Sequence, residues 1–331
     1  MKIAILGDGG WGTAVAMLLS GKKYRVYLWS AFPDYAEFLN KTRENTKFLP
    51  SFKIPSEIVI SADLAEVVKD AKLIVLAIPS HIMRKVIAPL KDFDLSQSII
   101  VSLSKGIENE KLMRMSEVID EEIKPRNLAV LSGPSHAEEV ARNLPTAVVV
   151  SSPSQKIAVE VQTVFMTERF RVYTNSDIIG VELGGALKNI IAIAAGISDG
   201  LGFGSNAKAA ILIRGMTEMV RLGVNLGAKA NTFSGLSGMG DLIATCASPY
   251  SRNKRVGELL AKGKKLEQLL SETEMVAEGI KTARSVHNLA QKQKIEMPIT
   301  QEIYSILYKG KEPLSVVRDL MARKAKPELE E

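Results

Sequence analysis

The feature that most constrains the fold is a glycine-rich turn near the N-terminus, in which Gly7, Gly9 and Gly12 form the spacing GxGxxG. The turn follows a short apolar run and opens a helical pattern. In that context the first glycine permits a tight turn, the second lets the backbone approach a pyrophosphate, and the third lets the helix pack on the strand. The N–H groups at the start of the helix then face the phosphates. We predict that this turn binds a dinucleotide; the alternative is a glycine turn that binds nothing.

Residues 1–177 alternate short runs rich in β-branched residues with helical patterns. Strands are predicted at residues 2–6, 25–29, 73–78, 98–103, 128–131, 146–150 and 170–173. Helices are predicted between them, at residues 12–19, 35–42, 82–90, 111–121 and 155–165. Several of the strand runs are apolar throughout, which is typical of a parallel sheet buried on both faces. We therefore predict a doubly wound, Rossmann-like α/β domain.

After residue 177 the pattern changes to helices alone. Residues 178–196 form a helix-length segment rich in Ala, Ile and Gly, and amphipathic patterns follow at residues 207–222 and 256–260. A chain of 331 residues is also longer than one typical core. We therefore predict a second, all-α domain at residues 178–331.

Composition narrows the classes of function. The 43 Lys and Arg residues against 37 Asp and Glu give a formal charge of +6, but the basic residues are scattered among acids, which argues against a nucleic-acid partner. The three histidines lie far apart without the spacing of metal ligands, so we predict no metal site. No apolar run approaches the ~20 residues of a membrane span, and the N-terminus lacks a signal-peptide pattern. With a single cysteine, Cys246, these features predict a cytoplasmic protein that is not a membrane protein.

The residues at the end of the second predicted strand bear on whether the chain binds NAD or NADP. A protein specific for NAD usually places Asp or Glu there, to hold the ribose 2′-hydroxyl. Here the strand runs into Ser30 and Ala31, and no arginine stands at this point to bind the 2′-phosphate of NADP. Asp34 follows Pro33 and is more simply the N-cap of the next helix. The sequence therefore leaves NAD and NADP open.

Ten segments, taken together and in this order, carry a resemblance to a known family. They are GDGGWGTAVA, IPSH, LSKGIE, LSGPSHAEEVA, FRVYTN, GVELGGALKNIIAIAAGISDGLGFGSNA, LSGMGDLIATC, SRN, VAEG and MPITQEIY. Over about residues 1–323 the chain resembles the bacterial NAD(P)-dependent glycerol-3-phosphate dehydrogenases. The resemblance implies a Rossmann-like domain, a helical domain and a homodimer. It also implies reversible reduction of dihydroxyacetone phosphate to sn-glycerol 3-phosphate, which supplies phospholipid synthesis.

The resemblance also implies roles for individual residues. The cofactor contacts that it adds to the three motif glycines are Gly10, Trp11, Lys105, Ala137, Arg252, Val276 and Glu278. The substrate contacts that it implies are Lys105, Gly133, Ser135, Asp241, Ser251, Arg252 and Asn253, together with Lys188, which is also the implied proton acceptor. Ala31 departs from the family, since a His or Arg suited to a 2′-phosphate is common there. This departure argues against a strong preference for NADP.

Lys188 is the candidate for proton transfer. Hydride transfer to a ketone develops negative charge on the carbonyl oxygen, so a proton donor must lie close by. A lysine serves if neighbouring cations lower its pKa toward neutrality. Gly184 and Gly180 precede Lys188 by one and two helical turns, and we expect them to leave room for substrate and nicotinamide. Asn189 is expected to orient the lysine; the alternative is that Lys188 caps a packing seam.

The substrate phosphate needs a cationic site. Ser251, Arg252 and Asn253 precede a helical stretch, which places a guanidinium, an amide and backbone N–H groups at a helix N-terminus. Ser251 also fits an N-cap, and both roles use the same donors. Lys105 follows the strand predicted at residues 98–103, where ligands of open α/β sheets bind. The alternative for Lys105 is an exposed loop lysine.

Two further motifs fit a structural role as well as a functional one. Asp241 is placed as an N-cap, or else it accepts a substrate hydroxyl and steadies the ammonium group of Lys188, with Thr245 in the same pocket. Ser135 opens the pattern S-x-x-E of a capping box, so His136 is not counted as catalytic.

Two rival functions stay open at this point. One is a dehydrogenase of the same architecture that acts on a 3-hydroxy acid, which would need a carboxylate-binding group where this chain has the SRN segment. The other is a nucleotide sensor without catalytic activity, which would lose nothing if Lys188 were replaced.

Overall fold

The computed structural model describes residues 1–272, 277–325 and 327–328. The strands are β1 (Lys2–Leu6), β2 (Arg25–Trp29), β3 (Glu44–Asn45), β4 (Leu49–Lys53), β5 (Val59–Ser61), β6 (Leu73–Leu76), β7 (Ile99–Ser102), β8 (Asn127–Ser132), β9 (Thr146–Ser151) and β10 (Phe170–Asn175). Eight of them form one sheet in the order β10-β9-β8-β7-β6-β1-β2-β5, while β3 pairs with β4. All neighbours in the large sheet run parallel except β8 and β9. The predicted Rossmann-like α/β fold is confirmed.

The helices fall into two groups along the chain. Those among the strands are α1 (Gly10–Ser20), α2 (Pro33–Thr42), α3 (Leu64–Val68), α4 (Met83–Ile87), α5 (Met115–Ile123), α6 (Ala137–Ala141) and α7 (Gln155–Phe165). Those that follow are α8 (Ile178–Gly200), α9 (Gly204–Asn225), α10 (Asp241–Ala247), α11 (Arg252–Ala261), α12 (Leu266–Glu272), α13 (Glu278–Gln293), α14 (Pro298–Lys309) and α15 (Pro313–Met321). From α8 onward the described residues contain helices and no strand, as predicted.

The large sheet is buried on both faces because its central strands are apolar throughout. In β1, Ile3 and Ile5 belong to one core cluster and Ala4 and Leu6 to another, and all four are fully buried. Successive side chains of a strand alternate between the faces, so this one strand contributes to both cores. The carboxyl end of β1 is thereby fixed where the glycine turn begins.

Helix α8 lies at the centre of the C-terminal half and overturns one expectation from the sequence. It is 23 residues long and apolar enough to cross a membrane by length and composition. The prediction that no apolar run approaches the length of a membrane span was therefore wrong. Of its most apolar window, 89% is buried against other parts of the chain, which accounts for its composition. It packs against α9, α10, α11, α13 and α14, and against β8 of the sheet.

The other differences from the sequence-based prediction concern short elements. All seven predicted strands are present, but β3, β4 and β5 were missed. Strands β3 and β5 have only two and three residues, and the five residues of β4 mix apolar residues with Pro, Ser and Lys. The helix predicted at residues 82–90 is interrupted, since α4 ends at Ile87 and a 3-10 turn containing Pro89 follows. Asp34 was wrongly predicted as an N-cap. It lies in the first turn of α2, and Phe32 occupies the N-cap.

Helices α8 and α11 cross at two glycines. A Cβ added at Gly257 would lie 2.1 Å from the carbonyl oxygen of Ile193, and one added at Gly196 would lie 2.0 Å from that of Lys254. Both distances are far inside van der Waals contact, so only glycine lets the two backbones approach this closely. The crossing fixes α11 and with it the position of Arg252 in the first turn.

We expect Gly257→Ala to lower the free energy of unfolding by about 3 kcal/mol, because the added methyl group must push α11 away from α8. Urea unfolding followed by circular dichroism measures the change. Gly21→Ala is the control, since the nearest atom to its added Cβ lies 3.4 Å away, and it should change stability by less than about 1 kcal/mol. Equal effects of the two substitutions would show that the crossing tolerates a side chain.

Candidate active site

A cleft with an open volume of about 380 Å³ lies where the two halves of the chain meet. One wall comes from the glycine turn, from the segments that follow β2, β6 and β7, and from the start of α6. The other wall comes from α8, α10 and the first turns of α11 and α13. The carboxyl ends of the parallel strands meet here, which is where open α/β sheets bind ligands.

The glycine turn has the shape that a dinucleotide pyrophosphate requires. Gly7 has a φ of +115°, and a Cβ added at Gly12 would lie 1.9 Å from the carbonyl oxygen of Gly7. Gly9 differs, because nothing lies within 4 Å of its Cβ position and it lines the cleft. A Cβ at Gly10 would lie 2.5 Å from the carbonyl oxygen of Phe48. Two motif glycines therefore serve packing, and the middle one leaves backbone open to a ligand.

Asp8, between the first two motif glycines, also lines the cleft. Ser30 donates from Oγ to Oδ2 of Asp8 at 2.5 Å, and Asn45 donates from Nδ2 to the carbonyl oxygen of Asp8 at 2.7 Å. Burial raises the pKa of Asp8, although the hydrogen bond from Ser30 opposes this shift. The GxGxxG pattern gives no weight to the side chain at this position, so reasoning from the sequence missed it.

A buried carboxylate holds two ammonium groups at the wall formed by α8 and α10. Lys188 donates from Nζ to Oδ1 of Asp241 at 2.5 Å and to Oγ1 of Thr245 at 2.6 Å. Lys105 donates from Nζ to Oδ2 of Asp241 at 2.7 Å and to the carbonyl oxygen of Gly133 at 2.8 Å. The side chain of Lys105 is only 18% exposed, so it is not an exposed loop lysine.

The charge cluster shifts the pKa values of its members. Burial lowers the pKa of Lys188 to about 8; the carboxylate of Asp241 opposes this shift, and the charge of Lys105 adds to it. Burial alone would raise the pKa of Asp241, but the two ammonium groups lower it below its usual value. Lys188 can therefore exchange a proton near neutral pH while Asp241 stays ionised. The neighbouring cation Lys105 helps to lower the pKa of Lys188, as expected, but burial is the larger cause of the shift.

His136 lines the cleft beside the two lysines. Burial lowers its pKa to about 4, and the charges of Lys188 and Lys105 add to the effect, so the imidazole is neutral at pH 7. The capping box predicted with Ser135 was wrong. His136 is the N-cap of α6 without a side-chain capping hydrogen bond, and Ser135 donates from Oγ to the carbonyl oxygen of Gly133 at 2.9 Å. The predicted capping box, which was the reason for not counting His136 as catalytic, is therefore absent.

The first turn of α11 brings a cation to the cleft. Ser251 is its N-cap and accepts from the backbone N–H three residues later at 3.2 Å, as predicted. Arg252 and Asn253 follow and line the cleft. Asn253 donates from Nδ2 to Oδ1 of Asn189 at 2.9 Å. Asn189 therefore orients Asn253, and the expectation that it orients Lys188 was wrong.

Two family models match this chain. Residues 2–158 match the N-terminus of NAD-dependent glycerol-3-phosphate dehydrogenase, and residues 177–318 match its C-terminus. The chain is 52% identical over 329 residues to the NAD(P)-dependent glycerol-3-phosphate dehydrogenase of Thermoanaerobacter sp. (strain X514), with 99% of each chain covered. It is also 52% identical to that of Moorella thermoacetica, covering 99% of this chain and 98% of the relative. The crystal structure of glycerol-3-phosphate dehydrogenase from Coxiella burnetii matches with a TM-score of 0.94 at 40% identity, over 97% of this chain and 99% of that one.

The chain belongs to the NAD-dependent glycerol-3-phosphate dehydrogenase family. It is therefore an NAD(P)-dependent oxidoreductase. The open backbone at Gly9 fits the pyrophosphate of that cofactor. Trp11, Ala137 and Glu278 line the same cleft. Val276, the other distal contact that the resemblance implied, lies outside the described residues.

Glu278 ties the two walls of this dehydrogenase together. Ser80, in the turn after β6, donates from its backbone N–H to Oε1 at 3.2 Å and from Oγ to Oε2 at 2.6 Å. Burial raises the pKa of Glu278, while these two hydrogen bonds oppose the shift. A residue that the resemblance assigned to the cofactor thus also joins the β6 turn to α13.

Most of the predicted site residues of this family member meet at the cleft. The ones that line it are Gly7, Gly9, Trp11, Lys105, Ser135, Ala137, Lys188, Ser251, Arg252, Asn253 and Glu278. The predicted residues that are not among the described lining residues are Gly10, Gly12, Gly133 and Asp241. Gly133 and Asp241 act on the lysines through hydrogen bonds instead. The N-cap of α10 is Gly240, so the alternative role of Asp241 as an N-cap was wrong.

Gly184 and Gly180 do not provide the space that was expected beside Lys188. A Cβ at Gly184 would lie 2.7 Å from the carbonyl oxygen of Ser237, and one at Gly180 would lie 2.2 Å from Oδ2 of Asp177. Both glycines face packed protein, so the expectation was wrong. The absence of a side chain at Gly184 lets the segment before α10 approach α8, which brings α10 within reach of Lys188.

We expect Asp241→Asn to lower the pKa of Lys188 further below 8, because it removes the carboxylate that favours the charged ammonium group. The ¹³Cε chemical shift of Lys188, followed against pH in protein with labelled lysine, measures the change, and a thermal melt checks that the variant is folded. Asp199→Asn is the control, since Asp199 pairs with Lys208 and Lys254 outside the cluster. An unchanged Lys188 titration in Asp241→Asn would contradict the charge coupling.

Proposed function

We propose that this chain interconverts dihydroxyacetone phosphate and sn-glycerol 3-phosphate with NAD(P), and that Lys188 transfers the proton. The observation that carries the proposal is the buried ammonium group of Lys188, which bonds to Asp241 in the wall of the cleft that also contains the glycine turn. Relatives that are 52% identical over nearly the whole chain carry the name of this activity, which supports the same reaction.

Lys188 supplies the proton for reduction and accepts it in the reverse reaction. When bound, the nicotinamide cofactor donates or accepts the hydride at C2 of the substrate. Negative charge that develops on the carbonyl oxygen is met by Nζ of Lys188, which is mostly protonated at neutral pH because its pKa is about 8. Asp241 and Thr245 hold Nζ in place. Lys105, on the other oxygen of Asp241, adds a second cation beside the substrate.

The substrate phosphate binds at the first turn of α11. Arg252 is exposed in the cleft and supplies a guanidinium, and the buried Ser251 and Asn253 flank it. The N-terminus of the helix adds a partial positive charge, which favours an anion. Gly133 and Ser135, beside Lys105, complete the proposed substrate contacts.

We expect Lys188→Ala to lower kcat for dihydroxyacetone phosphate reduction by about 1000-fold, because general acid catalysis contributes that order of rate. NADH binding, measured by fluorescence titration, should be retained. Lys208→Ala is the control, since Lys208 pairs with Asp199 away from the cleft, and it should leave kcat unchanged. Near-normal turnover in Lys188→Ala would show that this lysine is not the proton donor. Cofactor binding without any reduction by the unmodified protein would support a nucleotide sensor.

A dehydrogenase acting on a 3-hydroxy acid is the rival within the same architecture, and Arg252 separates the two. We expect Arg252→Ala to raise KM for dihydroxyacetone phosphate by about tenfold or more, because charge-assisted hydrogen bonds to the phosphate are lost. Dihydroxyacetone, which has no phosphate, should be affected little. Arg255→Ala, one turn away on the exposed face of α11, is the control. Faster oxidation of 3-hydroxybutyrate than of glycerol 3-phosphate would show that the substrate is wrong.

We propose a cytoplasmic homodimer that supplies glycerol 3-phosphate for phospholipid synthesis, with domains that divide between residues 177 and 178. The buried, unpaired Cys246 is consistent with a reducing compartment. The last strand ends at Asn175 and α8 begins at Ile178, which supports the domain division. Light scattering measures the oligomeric state.

A further inference from the structure

The end of β2 lacks the acidic residue that usually binds the adenosine ribose of NAD. In that position an Asp or Glu accepts a hydrogen bond from the ribose 2′-hydroxyl. Here β2 ends at Trp29 and is followed by Ser30, Ala31 and Phe32. A carboxylate nevertheless reaches this point from the glycine turn, since Ser30 donates from Oγ to Oδ2 of Asp8 at 2.5 Å.

The carboxylate of Asp8 is held in place and can accept a further hydrogen bond. Asp8 lines the cleft together with Ala31 and Phe32. Ser30, which orients it, is fully buried, and Asn45 fixes the backbone of the turn by donating to the carbonyl oxygen of Asp8 at 2.7 Å. Among the side chains that the structure describes, only that of Ser30 donates to this carboxylate, through Oδ2. The backbone of Asp8 also forms a hydrogen bond with the carboxylate. An ionised carboxylate offers about four acceptor sites, so it can still accept a hydrogen bond from a bound molecule.

We propose that Asp8 makes this dehydrogenase select NAD over NADP. Its carboxylate accepts a hydrogen bond from the ribose 2′-hydroxyl, and its negative charge repels the 2′-phosphate of NADP. The inference rests on the nicotinamide cofactor of the proposed function and adds which of its two forms the site takes. Asp8, in the glycine turn, thereby takes the role of the acidic residue that is usually found at the end of β2.

The charges around Asp8 favour this selection. A 2′-phosphate carries close to two negative charges and would share a partly buried site with a carboxylate, where charges interact more strongly than in water. Lys47 is a cation whose charge acts on Asp8, but its side chain is exposed and solvent screens it. Residues 30–32, which follow β2, carry no positive charge. The repulsion between Asp8 and a 2′-phosphate is therefore only weakly offset at this point.

Binding of ADP-ribose and of its 2′-phosphate tests the inference, because neither ligand carries nicotinamide and no turnover is needed. Isothermal titration calorimetry gives both Kd values for the unmodified protein and for Asp8→Asn. We expect the unmodified protein to bind ADP-ribose about tenfold or more tightly than the 2′-phosphate, since the charge both attracts one ligand and repels the other. Asp8→Asn should reduce this ratio by about tenfold, through weaker binding of ADP-ribose and tighter binding of the 2′-phosphate.

Two further variants make the result specific to Asp8. Asp34→Asn removes the same charge from the exposed first turn of α2 and is the matched control, so it should leave the ratio unchanged. Ser30→Ala removes the group that orients Asp8 and should reduce the ratio, which gives a second test if thermal melts show that Asp8→Asn is unfolded.

The outcomes separate this inference from the proposed reaction. Equal or tighter binding of the 2′-phosphate by the unmodified protein would overturn the role of Asp8 while leaving the reaction intact. The same conclusion follows if the ratio in Asp8→Asn changes no more than in Asp34→Asn. If neither ligand binds the unmodified protein, the proposed cofactor site is wrong, and the inference fails with it.

Discussion

The buried carboxylate of Asp241 is the interaction on which the active site depends. It accepts hydrogen bonds from Lys105, in the loop after β7, and from Lys188, in α8. Removing three charges from water is costly, so a buried cluster of this kind contributes little net stability. The cluster instead positions two ammonium groups side by side, since without the carboxylate of Asp241 they would repel each other. The cluster therefore joins the sheet to the C-terminal helices at the point where proton transfer is proposed.

Close approach of the backbone makes this cluster possible. A Cβ at Gly184 would lie 2.7 Å from the carbonyl oxygen of Ser237, and one at Gly185 would lie 2.4 Å from Oγ of Ser132. Helix α8 can therefore lie directly against β8 and against the segment that leads into α10. Because α10 begins at Asp241, the position of the carboxylate follows from this packing. The sequence suggested that glycines beside Lys188 make room for ligands. Their role is instead to let helices pack closely, and this packing places the carboxylate beside the lysine.

The parts of the structure that could be predicted from the sequence are those encoded locally. Strand runs, the glycine spacing and the N-cap at Ser251 depend on neighbours along the chain, and all were confirmed. The contacts that build the site join distant residues, since Lys105 and Asp241 are 136 positions apart. Neither periodicity nor a capping motif encodes which side chains meet across such a separation. For that reason Asp8 was missed and Asn189 was assigned to the wrong neighbour, whereas the family resemblance identified residues that the cleft does bring together.

The charges differ between the two ends of the cleft, and this difference can orient the molecules that bind there. Near the C-terminal helices, the basic groups of Lys188 and Arg252, together with that of Lys105 from the loop after β7, outnumber the carboxyl groups of Asp241 and Glu278. A substrate phosphate is attracted to that end. At the end of β2 the balance is reversed, because the aspartate of the glycine turn lies there and residues 30–32 carry no cation. A dinucleotide whose adenosine lies beside that aspartate would therefore direct its nicotinamide toward the lysines, and a phosphate on its ribose would oppose this arrangement.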